Sequence, residues 1–245
     1  PDILFEVIGQ SDGISKRTVE TALKNKIHVI TPNKALISKH GDFLANLAEE
    51  NKVNLEFEAA VCGGVPIIRS LKEGLIANKI NKVYGIFNGT SNYILSTMDK
   101  ENKDFSDVLL NAKKLGYAES DPISDLNGDD VSAKLKILSS LCFNSFIDHN
   151  IHVEGINFID RLDIDNANKL GYKIKLMGFS ELLNNKISGS LLRDLKLPQD
   201  ILMLSIKRND EIILSHGYTR LLKDDIITFI GSINSLDKLT LRFDS

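Results

Sequence analysis

The sequence predicts an α/β protein with three parts: a partial doubly wound parallel sheet, an α+β region and a small α+β module. Strand-like and helix-like segments alternate over the first 60 residues. The middle of the chain mixes helices with short strands, and an Asn/Ser/Gly-containing junction near 182–189 precedes three strand-like segments. The predicted domains are therefore residues 1–60, 61–183 and 184–245, a division that 245 residues can accommodate.

The first part alternates β-branched apolar runs with amphipathic segments, a pattern typical of parallel strands joined by helices. Strands are predicted over 3–8, 27–31 and 53–58. Helices are predicted over 15–25, with Ser15 as the candidate N-cap, and over 33–51. Because such sheets bind ligands at the carboxyl ends of their strands, the residues that follow each strand are the first candidates for a site.

Apolar spacing predicts further helices and strands in the rest of the chain. The helices are expected over 63–75, 90–100, 105–115, 130–143 and 166–170, and the strands over 83–87, 172–178, 201–207, 211–214 and 226–230. Asn209 and Asp210 suit a hairpin turn, and 235–241 suits a final helix or strand. Residues 116–129 are predicted to form a polar loop.

The composition excludes several classes of protein. A net charge of −3 indicates neither nucleic acid nor an anionic membrane as a partner, and no apolar run is long enough to span a bilayer. Two cysteines, Cys62 and Cys142, make no disulfide framework, which favours a reducing, cytoplasmic location. Because the chain opens directly on a strand at Pro1, we expect that end to be a cut end of a longer protein.

The most informative stretch is acidic. Five acids lie within the twelve residues 119–130, directly before the predicted helix 130–143. At about 100° per residue, Asp130 and Lys134 fall within the apolar stripe of this helix, and their i,i+4 spacing lets them meet. A buried ion pair with a purely structural role is one interpretation. A functional site is the favoured one, because desolvated charged groups concentrate at sites.

The stretch Gly116–Lys134, with Gly-Tyr-x-Glu-x-Asp-Pro followed by Asp, Gly, Asp and Lys, resembles the signature of homoserine dehydrogenases. Four more segments match in order: 31–34, 58–68, 85–92 and 163–177. The resemblance covers about residues 1–180. It implies a partial Rossmann-like dinucleotide-binding domain, a substrate and dimerisation domain, and a homodimer. The implied reaction is hydride transfer between NADP or NAD and a small-molecule substrate, interconverting homoserine and aspartate 4-semialdehyde.

The resemblance also implies roles for individual residues. Lys134 would donate the proton and Lys34 would be a second catalytic lysine, which suits a reaction that places negative charge on oxygen. Substrate binding is assigned to Glu119, Asp125, Asp130, Tyr117, Thr90 and Gly89; cofactor binding to Thr31, Asn33, Lys34 and Gly64; and a sodium ion to the backbone carbonyls of Glu58, Val61, Gly63 and Val65. From the residues alone, Lys34 also fits an exposed lysine, Gly63-Gly64 a turn, and Thr90 an N-cap.

Two features depart from the family pattern. Gly9-Gln10-Ser11-Asp12-Gly13 lacks the G-x-G-x-x-G spacing of a dinucleotide-binding loop. Residues 187–241 instead resemble the C-terminal ligand-sensing module of potassium-uptake regulators (the RCK-C type), although a generic α+β tail stays open. The favoured function is the enzyme, with a small regulatory ligand bound at this module. The alternatives are a catalytically inactive protein that senses an amino acid or nucleotide, and a potassium-transport regulator.

Overall fold

The computed structural model describes residues 1–145, 147, 151–182, 191–195, 197, 201–208, 211–213, 216–222, 225–232 and 235–236. The chain folds into two compact units, Pro1–Glu181 and Leu182–Ser245. Among the described residues, none of the helices has the length and apolar character needed to cross a membrane. The predicted turn at Asn209-Asp210 and most of the junction at 182–189 lie outside the described residues.

A parallel sheet of three strands opens the first unit, in the order β1-β2-β3. Its elements are β1 (Ile3–Phe5), α1 (Ile14–Lys24), β2 (His28–Ile30), α2 (Lys34–Asn51) and β3 (Leu55–Glu56). Each strand is shorter than predicted. After β1 the Glu6 amide still donates to the Ile30 carbonyl, and the Ile8 amide then donates to the Glu6 carboxylate.

Within the described residues, helices cover one face of this sheet and the other face is open. Val29 is fully buried against the core that contains α1 and α2. On the opposite face Phe5 is 66% exposed and Ile3 is 49% exposed. α1 and α2 contact each other and belong to the same apolar core, so both helices lie on the same side of the sheet. The part of the chain that the structure describes therefore contains one of the two helical layers of a doubly wound sheet.

Three helix starts differ from those predicted. α1 is preceded by Gly13, at a φ of +67°, and Ser15 lies buried inside the helix rather than at its N-cap. α2 begins at Lys34, because the Asn33 side chain accepts a hydrogen bond from the Leu36 amide. α5 (Gly89–Glu101) is capped by Asn88 and not by Thr90. In the last two, an asparagine side chain sets the first turn.

The middle of the chain has more elements than the periodicity predicted. Besides α5, its elements are α3 (Glu58–Val61), α4 (Ile67–Arg69) with a π-helical turn (Ser70–Gly74), β4 (Lys82–Gly85), α6 (Phe105–Lys114), α7 (Ile123–Asn127), α8 (Asp129–Phe143), α9 (Arg161–Lys169) and β5 (Gly178–Glu181). A single helix over 63–75 and a strand over 172–178 were both wrong predictions. β5 begins at Gly178, the residue at which the predicted strand 172–178 was expected to end, and it pairs antiparallel with β4.

Two apolar cores organise the first unit. The first joins α1, α2 and the parallel sheet to Ile137 and Leu138 of α8, so the helix that carries Asp130 and Lys134 packs beside the helix that carries Lys34. The second is formed by α5, α6, α9 and the segments around them. The second unit contains an antiparallel sheet of order β7-β6-β8, from β6 (Leu202–Arg208), β7 (Glu211–Ile213) and β8 (Ile226–Ile230).

Candidate active site

A buried carboxylate lies at the centre of the candidate site. Asp130, in the first turn of α8, is 3% exposed. It forms ion pairs with Lys34 and with Lys134, the latter at 2.9 Å, and accepts a hydrogen bond of 2.9 Å from the Asn88 amide. Burial disfavours the charged form of Asp130, but the hydrogen bonds from Asn88, Lys34 and Lys134 outweigh it and hold its pKa below the ordinary value.

Lys134 is held from two sides. Its Nζ donates to the Phe87 carbonyl at 2.9 Å as well as contacting Asp130. Phe87 is itself fixed by close packing, because its ring occupies the space that a Cβ on Gly178 would need, at 2.7 Å. The Lys134 side chain is 18% exposed and lines the same cleft as Lys34, so its ammonium group is both restrained and accessible.

Asn88 connects a second predicted acid to this centre. Its Nδ2 donates to Asp125 at 2.7 Å and to Asp130 at 2.9 Å, while its Oδ1 caps α5 at the Ser91 amide. Sequence reasoning did not assign Asn88 to the site. The available signal was its position directly before the Gly89-Thr90 helix start, where asparagine is a preferred N-cap.

A cleft of about 360 Å³ adjoins these groups. It lies where chain segments leave the parallel strands, the usual ligand site of such sheets. Its lining includes Gly9, Asn33, Lys34, Gly63 and Lys134. Gly9 has a φ of +88°, and a Cβ there would meet nothing within 4 Å, so this wall of the cleft is open to a ligand.

The predicted cofactor residues lie partly on this cleft. Thr31 and Asn33 are buried, and Asn33 and Lys34 line the cleft. Thr31 donates to the Glu6 carboxylate at 2.7 Å, as does Asn33 at 3.2 Å. Glu6 was missed at the sequence level, although an acid inside the apolar run 3–8 was a signal for a buried polar contact. Gly64 is exposed with a φ of +82°.

The remaining predicted substrate residues are only loosely connected to Asp130. Thr90 donates to the Tyr117 carbonyl at 2.6 Å, and the Tyr117 ring stacks on Tyr93 at 4.4 Å between centroids. Gly89 is the first residue of α5 and is exposed. Glu119 is exposed, and within the described part of the chain its carboxylate makes no hydrogen bond or ion pair.

The four residues assigned to sodium lie in one short stretch. The Glu58 carbonyl accepts from the Cys62 amide at 3.4 Å, and the Val65 carbonyl accepts from the Ile67 amide at 2.8 Å. Val61 and Gly63 lie between them and line the cleft. Each carbonyl oxygen has two lone pairs, so the donor set is compatible with a hard cation. The sodium assignment stays a prediction.

The arrangement has a clear chemical capability. Two ammonium groups are presented at an open cleft, with one buried carboxylate fixing both of them. Such groups can donate a proton to an oxygen on which negative charge develops and can stabilise that charge. A site built in this way suits a reaction at a carbonyl or hydroxyl group.

Two protein-family models match this chain. Residues 1–58 match the family model described as the homoserine dehydrogenase NAD binding domain, and residues 66–232 match the homoserine dehydrogenase model. The second match extends well into the unit that the sequence resemblance had assigned to a separate sensing module.

Curated relatives and solved structures agree with the models. A homoserine dehydrogenase of Neisseria gonorrhoeae is 46% identical over 178 residues, 72% of this chain and 41% of the relative. The homoserine dehydrogenase of Bacillus subtilis is 42% identical over 191 residues, 78% of this chain and 44% of the relative. The crystal structure of a homoserine dehydrogenase from Thiobacillus denitrificans aligns with a TM-score of 0.71 at 44% identity, covering 75% of this chain and 43% of that one. The chain thus spans about two fifths of the length of these relatives.

Proposed function

This chain belongs to the homoserine dehydrogenase family, and we propose on that premise that it interconverts homoserine and aspartate 4-semialdehyde with NADP or NAD. The protein would be an oxidoreductase of amino-acid biosynthesis. The observation that supports this activity most directly is the double ion pair of Asp130 with Lys34 and Lys134 at the edge of the cleft.

The nicotinamide cofactor supplies or accepts the hydride when it is bound. The Asn33, Lys34 and Gly9 surfaces of the cleft would hold it. This fit is supported by the position of the cleft at the carboxyl edge of the sheet and by the open space at Gly9.

Lys134 performs the proton transfer. In reduction, hydride adds to the aldehyde carbon, the C=O π electrons move to oxygen, and the Lys134 ammonium gives that oxygen its proton, leaving an alcohol. In the reverse direction Lys134 takes the hydroxyl proton. Asp130 and the Phe87 carbonyl orient Nζ for this step, and Lys34 adds a second positive group near the developing charge.

The carboxylates bind the amino group of the substrate. Glu119 has its carboxylate free within the described residues, and Asp125 shares only one oxygen with Asn88. An α-ammonium group needs such acceptors, since a charge-assisted hydrogen bond is stronger than a neutral one. Tyr117, Thr90 and Gly89 would complete the substrate pocket, and Gly64 the cofactor side.

Substitution of Lys134 tests the function. Lys134→Ala is expected to lower kcat for homoserine oxidation by about a hundredfold or more, because a positioned proton donor contributes about 10²–10⁴-fold. NADPH affinity, measured by fluorescence titration, should stay within about threefold of the affinity of the unmodified chain, since the proton donor contacts the reacting oxygen. Lys100→Ala, at an exposed lysine near the end of α5, is the matched control.

The outcomes separate the candidate functions. Turnover by Lys134→Ala at the level of the control contradicts the assignment of proton donor. If the unmodified chain binds homoserine in calorimetry yet turns it over with neither NADP nor NAD, the amino-acid sensing alternative replaces the enzyme. If it neither binds nor converts homoserine, the proposed substrate is wrong.

Further parts of the proposal concern the ion and the assembly. We assign a sodium ion to the carbonyls of Glu58, Val61, Gly63 and Val65, which lie in one stretch beside the cleft. A homodimer and a cytoplasmic location also belong to the proposal, on the basis of the family. Weaker homoserine binding when potassium replaces sodium in the buffer would support the ion.

The second unit is proposed to be a regulatory module that binds a small ligand, as its resemblance to RCK-C modules implies. Its separation as a compact unit of Leu182–Ser245 supports this role.

A further inference from the structure

A second buried carboxylate lies beside the candidate site and has no part in the proposed reaction. Glu6 follows β1 directly and is 2% exposed. It accepts hydrogen bonds from the Ile8 amide at 2.8 Å, the Thr31 hydroxyl at 2.7 Å and the Asn33 amide at 3.2 Å. A buried acid is costly unless it is fully bonded, so this arrangement needs a reason.

Ile8, Thr31 and Asn33 all donate to Glu6. A carboxylate that is ionised accepts with both oxygens and donates nothing, so it matches this environment. Burial opposes ionisation of Glu6, but the bonds from Thr31, Ile8 and Asn33 outweigh it and keep the pKa of Glu6 below its ordinary value.

The contact with Glu6 determines which way the Asn33 amide faces. Asn33 Nδ2 donates to Glu6 and, at 2.8 Å, to the Gln10 carbonyl. Its Oδ1 is thereby directed at the Leu36 amide, at 3.1 Å, and caps α2. If the amide rotated by half a turn, an N–H group would face the Leu36 N–H and the cap would be lost.

The cap fixes the position of Lys34. Because α2 begins at Lys34, the first turn of the helix determines where this side chain enters the cleft and meets Asp130. The Gln10 contact ties the loop that contains Gly9 to the same asparagine, so both walls of the cleft depend on Asn33.

We propose that Glu6 is a positioning residue: its carboxylate orients the Asn33 amide, which sets the start of α2 and holds Lys34 at the cleft against Asp130. Its effect on turnover rests on the proposed function, whereas its effect on the start of α2 does not. The two effects can therefore be tested separately.

Glu6→Gln is the most direct substitution, because it keeps the size of the side chain and changes one acceptor into a donor. A Gln amide has one acceptor oxygen where the carboxylate has two. With its N–H₂ at the Oε2 position it opposes the Asn33 N–H₂, and with its N–H₂ at the Oε1 position it leaves Asn33 only a neutral acceptor in place of a charged one, so either orientation weakens the contact that orients Asn33. Loss of an N-cap weakens a helix start by an amount corresponding to about fivefold to tenfold in local opening.

Hydrogen exchange measured by NMR tests the first effect. In Glu6→Gln the Leu36 amide should exchange about fivefold to tenfold faster relative to the Leu44 amide, which lies in the middle of α2. Val19→Ala is the matched control, since Val19 is fully buried in the same core but takes no part in the hydrogen bonds of Glu6 and Asn33. If the ratio of the Leu36 to the Leu44 exchange rate is unchanged in Glu6→Gln, or changes equally in the control, the proposal is overturned, whether or not the chain converts homoserine.

A double-mutant cycle with Lys34→Ala tests the second effect. Glu6→Gln should lower kcat/KM for homoserine by about tenfold in the original chain and by less than about twofold in the Lys34→Ala background, because Lys34 is then no longer there to be positioned. Equal losses in both backgrounds mean that Glu6 acts only on stability, and overturn the proposal.

Glu6→Met provides a second route if Glu6→Gln does not fold. It keeps the length of the side chain and removes both acceptor oxygens, so the Asn33 amide loses its contact with residue 6. We expect the same selective exchange at Leu36 and the same coupling to Lys34; normal exchange in this variant would contradict the role of Glu6. Absence of homoserine turnover in the unmodified chain contradicts the proposed function only, and leaves the exchange test decisive for Glu6.

Discussion

Replacement of Asp130 by asparagine should destabilise the first unit by about 2–4 kcal/mol. The Asp130 carboxylate contacts one amide and two ammonium groups. Breaking a buried ion pair costs about 3–5 kcal/mol when the partner charge stays buried. Here the cost is smaller, because the Lys34 side chain is 40% exposed and can regain water, whereas Lys134 is 18% exposed. The substituted side chain would also place an N–H₂ group among three donors, which keeps the loss above that of one hydrogen bond.

Thermal unfolding followed by circular dichroism measures this effect. For a unit of this size, 1 kcal/mol shifts Tm by about 2–4 °C, so Asp130→Asn should lower Tm by about 4–16 °C at neutral pH. The pKa of Asp130 is lowered in the folded state, so its contribution is present above the unfolded pKa and is lost as pH falls through the folded pKa. The Tm difference between the two proteins should therefore shrink in acid.

Asp129→Asn is the matched control. Asp129 is the neighbouring residue in the same first turn of α8 but is exposed, so its substitution removes the same charge from the helix end without disturbing the buried cluster. Its Tm should change by a few degrees at most, as the helix-dipole contribution of an exposed acid is about 0.3–1 kcal/mol. Equal Tm losses in the two variants, or a difference that persists in acid, would refute the role given to the ion pairs.

Two further predictions concern substrate binding and the second unit. Glu119→Gln should raise KM for homoserine by about tenfold and leave KM for the cofactor unchanged, because one charge-assisted hydrogen bond is worth about 1.5–3 kcal/mol. Steady-state kinetics with each substrate varied in turn measures both KM values. A raised KM for the cofactor with an unchanged KM for homoserine would remove Glu119 from the substrate site. Asp225→Asn removes the charge and one of the two contacts of 2.7 Å with Arg208, which loosens the second unit. Basal kcat and KM should nevertheless change by less than about twofold if that unit is regulatory. A loss of cofactor affinity would instead make the tail part of the cofactor site.

Local patterns were sufficient for much of the fold. Apolar periodicity predicted α2, α6 and α8 to within about two residues at each end, because the period of a helix is written into its own sequence. The same reasoning failed for 63–75, where Pro66 precedes only a short helix and a π-helical turn. It also misplaced β5, since a short antiparallel strand depends on its partner β4 more than on its own residues.

The contact between Asp130 and Lys134 was accessible from the sequence because both lie on one helix, four residues apart. The contact between Lys34 and Asp130 was not, since it joins residues 96 positions apart. It requires α2 to pack beside α8, and periodicity states which face of a helix is buried without stating against what.

The sequence by itself therefore determined the type of each long element, the family signature and the ion pair of Asp130 with Lys134 within α8. Only the tertiary structure decided that Glu6 faces Asn33, that Asn88 joins Asp125 to Asp130, and that two lysines share one carboxylate. The physical reason is the range of the interactions. Helix periodicity and capping act over a few residues, whereas a buried polar cluster forms only when packing removes water from groups that are distant in the chain.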